Sequence, residues 1–358
     1  MSILVETKTI ASRLIAPSGE AAATLPDFAR DHAELVKLYR AMVLTRTFDA
    51  KAVALQRTGR LGTYASCLGQ EAVGVGLAAA MRPDDVLLPS FREHGAQIWR
   101  GVSLKELFLY WGGDERGNDF AGPREDFPNC VPVGSHASHA VGVALAFRLR
   151  GEPRAAVCVF GDGATSKGDV AEALNMAGTW KVPTIFVVNN NGWAISVPVA
   201  KQTAATTLAQ KALAAGIPGL RVDGNDVVAV REAVGDALAV TRRGDGPTLI
   251  EAVTYRLSDH TTADDAGRYR NDTEVSRHWP EEPVARLRSY LTRVGAWGRE
   301  QEESLLHECG QQVERAADDY LAEQPLPITA LFDRTYATMP VDLVDQLHVA
   351  TARAAGAA

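Results

Sequence analysis

Apolar residues in this chain fall into two patterns. Short, nearly unbroken runs at 155–160, 184–188 and 248–254 suit strands buried on both faces, as in a parallel sheet. Elsewhere apolar positions recur at helical spacing. Leu35, Leu38, Tyr39, Met42, Val43, Phe48, Ala52 and Leu55 mark a helix over 33–55, Val170, Leu174 and Ala177 a narrower face over 169–181, and 226–242 is amphipathic as well. Strand, helix and strand of these lengths form a right-handed crossover, so the pattern predicts an α/β fold with a mostly parallel sheet flanked by helices.

The first two strand runs end in polar turns. Gly161-Asp162-Gly163 uses the backbone freedom of glycine, and Asn189-Asn190-Asn191-Gly192 offers residues that tolerate a left-handed turn. Asp169 is expected to cap the helix between them and Pro183 to close it. A right-handed crossover puts both turns on one edge of the sheet. Asp162 and Asn191 are then neighbours at the carboxyl ends of the strands, where open α/β sheets bind ligands.

The remaining segments arrange themselves around this unit. A small-residue helix runs to about Met81, and the stretch LLPSFREHG at 87–95 reads as a short strand that delivers Phe91, Arg92 and His94 into a polar turn. Residues 111–129 read as a long loop, 136–148 as a small-residue helix, and 219–224 as the close of a further α/β unit. The strand at 248–254 gives way at Tyr255 to a stretch, through Asp265, with too many polar residues to be buried, which is the setting of an active-site loop. Helices over 284–294 and 300–323 follow, with a shorter one from 341. The organisation expected is an N-terminal arm over 1–32, an α/β domain over 33–275 and a helical extension over 276–358 packed on the same domain.

Composition narrows the chemistry. A net charge of -7 with dispersed Lys and Arg offers no basic run for nucleic acid, and no apolar run approaches the roughly 18 residues of a membrane span. Four widely spaced cysteines without CxxC spacing, and no secretory apolar segment, point to a reduced, cytoplasmic protein. His136 and His139 read as packing residues on an alanine-rich helix rather than a zinc pair. The Asp162 carboxylate, the Asn191 amide oxygen and a carbonyl of the second turn make a hard-oxygen set for Mg²⁺ that leaves room for phosphate oxygens, and Arg92 can bind phosphate bidentately. The GxGxxG spacing of a nicotinamide-binding turn is missing from Gly161-Asp162-Gly163.

GDG followed by NN, with Asn191 29 positions on from Asp162, resembles the thiamine-diphosphate motif. From about Leu35 to Met339, including the GQEA stretch at 69–72, the chain is similar to the alpha chain of the decarboxylating (E1) component of 2-oxo acid dehydrogenase complexes. The resemblance implies the diphosphate-type thiamine-binding fold, with thiamine diphosphate and Mg²⁺ as cofactors. It gives Asp162, Asn191 and the carbonyl of Trp193 to the metal, and Arg92, Gly161, Asp162, Gly163, Asn191 and His260 to the cofactor. The backbone near Val133 meets the aminopyrimidine, and Phe91 stands where the family usually has tyrosine, leaving ring contact only. His260 is the implied catalytic residue, beside the thiazolium ring and the diphosphate. Ser135 lies near a potassium site in some relatives, and Asn189 replaces a phosphate-binding Arg or Gln.

Only the diphosphate half of the site is implied for this chain. A separate beta subunit, in an α2β2 assembly, supplies the other half, and the acyl group passes to the lipoyl domain of an acyltransferase component. The substrate implied is a 2-oxo acid. His94 leans toward pyruvate and the Thr-Thr-Ala-Asp-Asp stretch at 261–265 toward branched-chain acids, with pyruvate narrowly favoured. The alternatives are an acetoin dehydrogenase alpha chain and a non-catalytic scaffold subunit, the latter opposed by the complete His260 loop.

Overall fold

The computed structural model describes residues 11–333 and 335–356. Its strands are β1 (Val86–Leu88), β2 (Ala156–Gly161), β3 (Thr184–Asn190), β4 (Trp193–Ala194), β5 (Val197–Pro198), β6 (Gly219–Asp223) and β7 (Thr248–Val253). Five of them form one parallel sheet in the order β1-β2-β3-β7-β6, while β4 and β5 make a small antiparallel ribbon. The helices that matter here are α1 (His32–Arg57), α2 (Glu71–Ala80), α3 (His94–Arg100), α4 (Leu104–Trp111), α5 (His136–Arg150), α6 (Gly168–Trp180), α7 (Val227–Arg242), α8 (Pro283–Arg293) and α9 (Arg299–Leu321).

Strand side chains alternate between two helical layers, as the two-residue repeat of a strand requires. Ala156, Cys158, Phe160, Phe186 and Val188 pack with apolar residues of α5 and α6, and Val157, Val159, Ile185 and Val187 with those of α2 and α7. The fold is therefore the α/β class that the apolar runs predict, with helices on both faces. A third apolar cluster joins Leu38 and Met42 of α1 to Leu287 and Leu291 of α8 and Leu305 of α9. α8 and the part of α9 up to Ala317 thus pack against α1, and Arg40–Glu308 and Lys51–Glu314 ion pairs, both 2.6 Å, run along that seam.

Three local expectations change. Lys167, not Asp169, holds the capping position of α6, and Asp169 sits in its first turn, where a carboxylate meets the helix dipole and pairs with Lys167 at 3.2 Å. β3 runs two residues past Val188 because its asparagines find partners on β7 or just beyond it. Asn190 Nδ2 donates to Glu251 Oε1 at 2.8 Å, and Asn189 Oδ1 accepts from Thr254 Oγ1 at 2.9 Å. The left-handed turn falls on Gly192, with φ of 87°, within the Asn-Gly run that the sequence offers for it.

The third change concerns the arm. Residues 1–10 lie outside the described residues, but the stretch after them is docked. Ser12 pairs with β6 through Ser12 N–H to Arg221 O (3.0 Å) and Asp223 N–H to Ser12 O (2.9 Å), and Ile15 is buried. Asp226 caps α7 with one carboxylate oxygen and accepts from the Leu14 and Ile15 N–H groups with the other, at 2.7 and 2.6 Å. One compact unit runs through Ala317. Residues 318–358 form a second, whose described helices beyond α9 are Ala330–Asp333 and Val341–Gly356. Among the described residues no helix is long and apolar enough to cross a membrane.

Candidate active site

The polar turns meet where the crossover rule puts them. A cavity of about 570 Å³ lies at the carboxyl ends of β2 and β3, and Phe91, Arg92, Val133, Gly161, Asp162, Gly163, Asn191, Trp193 and His260 all line it. Gly161 leaves open space where a Cβ would stand. At Gly163 a Cβ would lie 2.7 Å from that of Ala194, so glycine lets the β4–β5 ribbon approach the turn after β2.

Asp162 is almost fully buried, and burial pushes its carboxyl above the usual range. Gln202 Nε2 donates to its Oδ2 at 2.7 Å and also to Val197 O at 3.0 Å, tying the carboxylate to the ribbon. Asn191 is set from both sides: its Nδ2 donates to Gln70 Oε1 at 3.1 Å, and its Oδ1 accepts from Trp193 N–H at 3.2 Å. The start of α2 thus meets the second turn through Gln70.

Positive charge accumulates beside these oxygens. Arg92 and Arg256 are buried, and among the described residues neither forms an ion pair with a carboxylate. Arg92 donates to Ser66 O, to His260 O at 2.6 Å and to His260 Nδ1 at 3.0 Å. Arg256 donates to Ile195 O and Tyr269 Oη at 2.8 and 2.7 Å, with Trp193 O at 3.4 Å. Burial, and then Arg256, pull the Arg92 guanidinium down to about 10. Burial and the two arginines likewise pull His260 down to about 4. A guanidinium can only donate, so Nδ1 of His260 carries the lone pair and the neutral ring holds its proton on Nε2. The His260 N–H donates to Asp264 Oδ2 at 2.9 Å, which fixes the loop, and Tyr269 Oη donates to the same oxygen.

Two expectations about this region fail. His94 does not reach the cavity: it begins α3, is fully buried and stacks on Tyr64, because its imidazole satisfies partners inside the protein. The stretch after β7 is less exposed than its polarity predicts, since Tyr255, Arg256 and Leu257 are buried. Arg256, which holds Trp193 O and Tyr269 Oη beside the cavity, is a residue the sequence pattern does not single out. Its signal was an arginine two positions past a core strand, where the chain is still inside the protein. Elsewhere, His136 bonds through Nε2 to Val159 O at 2.7 Å, and Asn189 also lines the cavity.

Comparison with known proteins bears on this arrangement. A model of the "Dehydrogenase E1 component" family matches residues 39–328. The chain belongs to the dehydrogenase E1 component family. Among the relatives of this E1 component, the 3-methyl-2-oxobutanoate dehydrogenase subunit alpha of Mycobacterium tuberculosis is 43% identical over 309 residues, covering 86% of this chain and 84% of that protein. The pyruvate dehydrogenase E1 component subunit alpha of Acholeplasma laidlawii is 40% identical, covering 87% and 91%, and that of Bacillus subtilis 39%, covering 92% and 88%. Relatives named for both substrates therefore stand at similar distances from this chain.

Proposed function

We propose that this chain is the alpha subunit of a thiamine-diphosphate-dependent 2-oxo acid dehydrogenase, acting with a beta subunit in an α2β2 assembly and passing its acyl group to a lipoyl domain in the cytoplasm. The observation that carries the reading is the pair of buried arginines without carboxylate partners, Arg92 and Arg256, beside the oxygens of Asp162, Asn191 and Trp193. A buried charge is costly unless paired, so the site is complementary to an anion that brings a cation of its own. A Mg²⁺-diphosphate meets that description.

The residues fit the cofactor. Asp162 Oδ, Asn191 Oδ1 and the Trp193 carbonyl would hold Mg²⁺, a hard cation that prefers oxygen and keeps positions for phosphate. Arg92 would bind the diphosphate, with Gly161 leaving space for it and Gly163 letting the β4–β5 ribbon close on the turn, and Val133 and Phe91 would flank the rings. When bound, thiamine diphosphate supplies the electron sink for decarboxylation. His260 is neutral at working pH and presents Nε2–H as a donor, while Arg92 and Arg256 keep Nδ1 occupied. It can therefore orient the substrate carbonyl oxygen by donating a hydrogen bond from Nε2–H, with Asp264 holding its backbone.

Substrate choice is tested together with the assignment. The chain is purified with its beta subunit and assayed on pyruvate, 3-methyl-2-oxobutanoate and acetoin with an artificial electron acceptor, and cofactor binding is measured by calorimetry. Turnover of a 2-oxo acid only in the mixture is expected. Asp162→Ala, which removes the one charged metal ligand, is expected to abolish cofactor binding. Micromolar affinity retained by Asp162→Ala would overturn the metal assignment.

A further inference from the structure

Trp111, at the end of α4, is fixed at backbone and side chain. Its carbonyl accepts from Gly62 N–H at 3.0 Å, an approach that only glycine allows, since a Cβ there would lie 2.6 Å from the oxygen. Its indole Nε1–H donates to His94 Nε2 at 2.9 Å, and its ring meets Tyr64 edge-on at 5.0 Å. An indole N–H can only donate, so His94 Nε2 holds a lone pair and the imidazole is neutral. Burial, and then Arg92, lower the His94 pKa to about 3, so that lone pair persists across working pH.

His94 is in turn held by the protein interior. It stacks on Tyr64 at 5.4 Å, and Tyr64 Oη donates to Asp49 Oδ1 at 2.8 Å. Asp49 also accepts from Ser66 Oγ at 2.6 Å and Cys67 N–H at 2.7 Å. Ligand atoms of Asp49, Cys67 and His94 lie within 4.8 Å of one another, yet these donors already engage both Asp49 oxygens, so the cluster is a hydrogen-bonded support.

This support ends in a wall of the cavity. Trp111 is half-buried and lines it together with Thr63, Ala65 and Thr261. Tyr64 and Thr262 bond each other twice, each backbone N–H donating over 2.9 Å, which sets the wall beside the His260 loop. An aromatic face that cannot turn aside limits what fits next to His260. We propose that Trp111 determines which 2-oxo acids are accepted by limiting the side chain that fits beside His260, and that His94 is the positioning residue for it. The inference rests on the reaction proposed above.

The test compares kcat/KM across 2-oxo acids with methyl, isopropyl, isobutyl and benzyl side chains, using the assembled protein. A methylene in an apolar pocket is worth roughly 10- to 200-fold, so Trp111→Ala is expected to raise the large-to-small ratio by at least about tenfold, and Trp111→Phe by less. His94→Leu should shift the ratio the same way. His94→Gln, whose amide oxygen can accept the indole N–H, should restore it. A uniform fall across the series with the ratio unchanged would overturn the proposal. Calorimetric binding of the same acids separates the two readings. Size discrimination lost in Trp111→Ala without turnover by any form keeps the wall and removes the reaction, whereas wild-type turnover with unchanged discrimination in Trp111→Ala keeps the reaction and removes the wall.

Discussion

Two neutral histidines anchor the chemistry at the scale of single residues, and each is neutral for the same cause. His94 and His260 lie where burial and nearby guanidiniums disfavour a further positive charge. The sign of the effect on stability follows. In the unfolded chain histidine titrates near ~6.5, whereas folded His94 stays neutral down to about 3. Below ~6.5 the unfolded state binds a proton that the native state does not, so this contribution is complete above that pH and is lost as pH falls toward about 3. His94→Gln removes the titration. The stability gap between wild type and His94→Gln, measured by urea denaturation, is therefore expected to move against the wild type by up to about 2 kcal/mol between pH 7.5 and 5. Asp49, Tyr64, Trp111 and Arg92 surround the ring in both proteins, and a pH-independent gap would show that His94 is accessible to protons.

Elements explain what the pattern of residues did and did not reveal. Strands β2, β3 and β7 were legible because both faces are buried and their runs are continuous, and the spacing of Asp162 and Asn191 was legible because a crossover has a fixed hand. Docking of residues 11–22 was not legible. Their alanine, proline and serine carry no periodicity, and the segment is held by Asp226 and the edge of β6 rather than by a face of its own. Arg256 escaped notice for a related reason: its partners are the carbonyl of Ile195 and the hydroxyl of Tyr269, which lie in two other segments. Asp226→Ala tests the element-level account. It removes a helix cap and strands the Leu14 and Ile15 N–H groups, so a loss of about 3 kcal/mol is expected by urea denaturation, with new proteolytic cleavage between residues 11 and 22. Protection of that segment in the variant would show that the apolar contacts of Ile15 suffice.

At the scale of the whole molecule, charge is distributed against its own average. The chain carries a net charge of -7, yet one buried guanidinium, Arg92, lines the cavity and a second, Arg256, lies behind its Trp193 carbonyl. Ligand binding should repair this imbalance and appear as global stability, since anything that binds only the folded state stabilises it by about 2.7 kcal/mol at a hundred times its dissociation constant. Inorganic pyrophosphate with Mg²⁺ is expected to raise the melting temperature of the chain alone, while Arg92→Leu should lose most of that rise. An equal rise in both proteins would place the anion elsewhere.

The parallel sheet has two open sides in principle, β1 and β6, and a bare strand is a template that any passing chain can extend. The short pairing of Ser12 with β6 occupies part of one of those sides. The segment with no periodic pattern of its own therefore also blunts part of that edge against lateral growth of the sheet along β6.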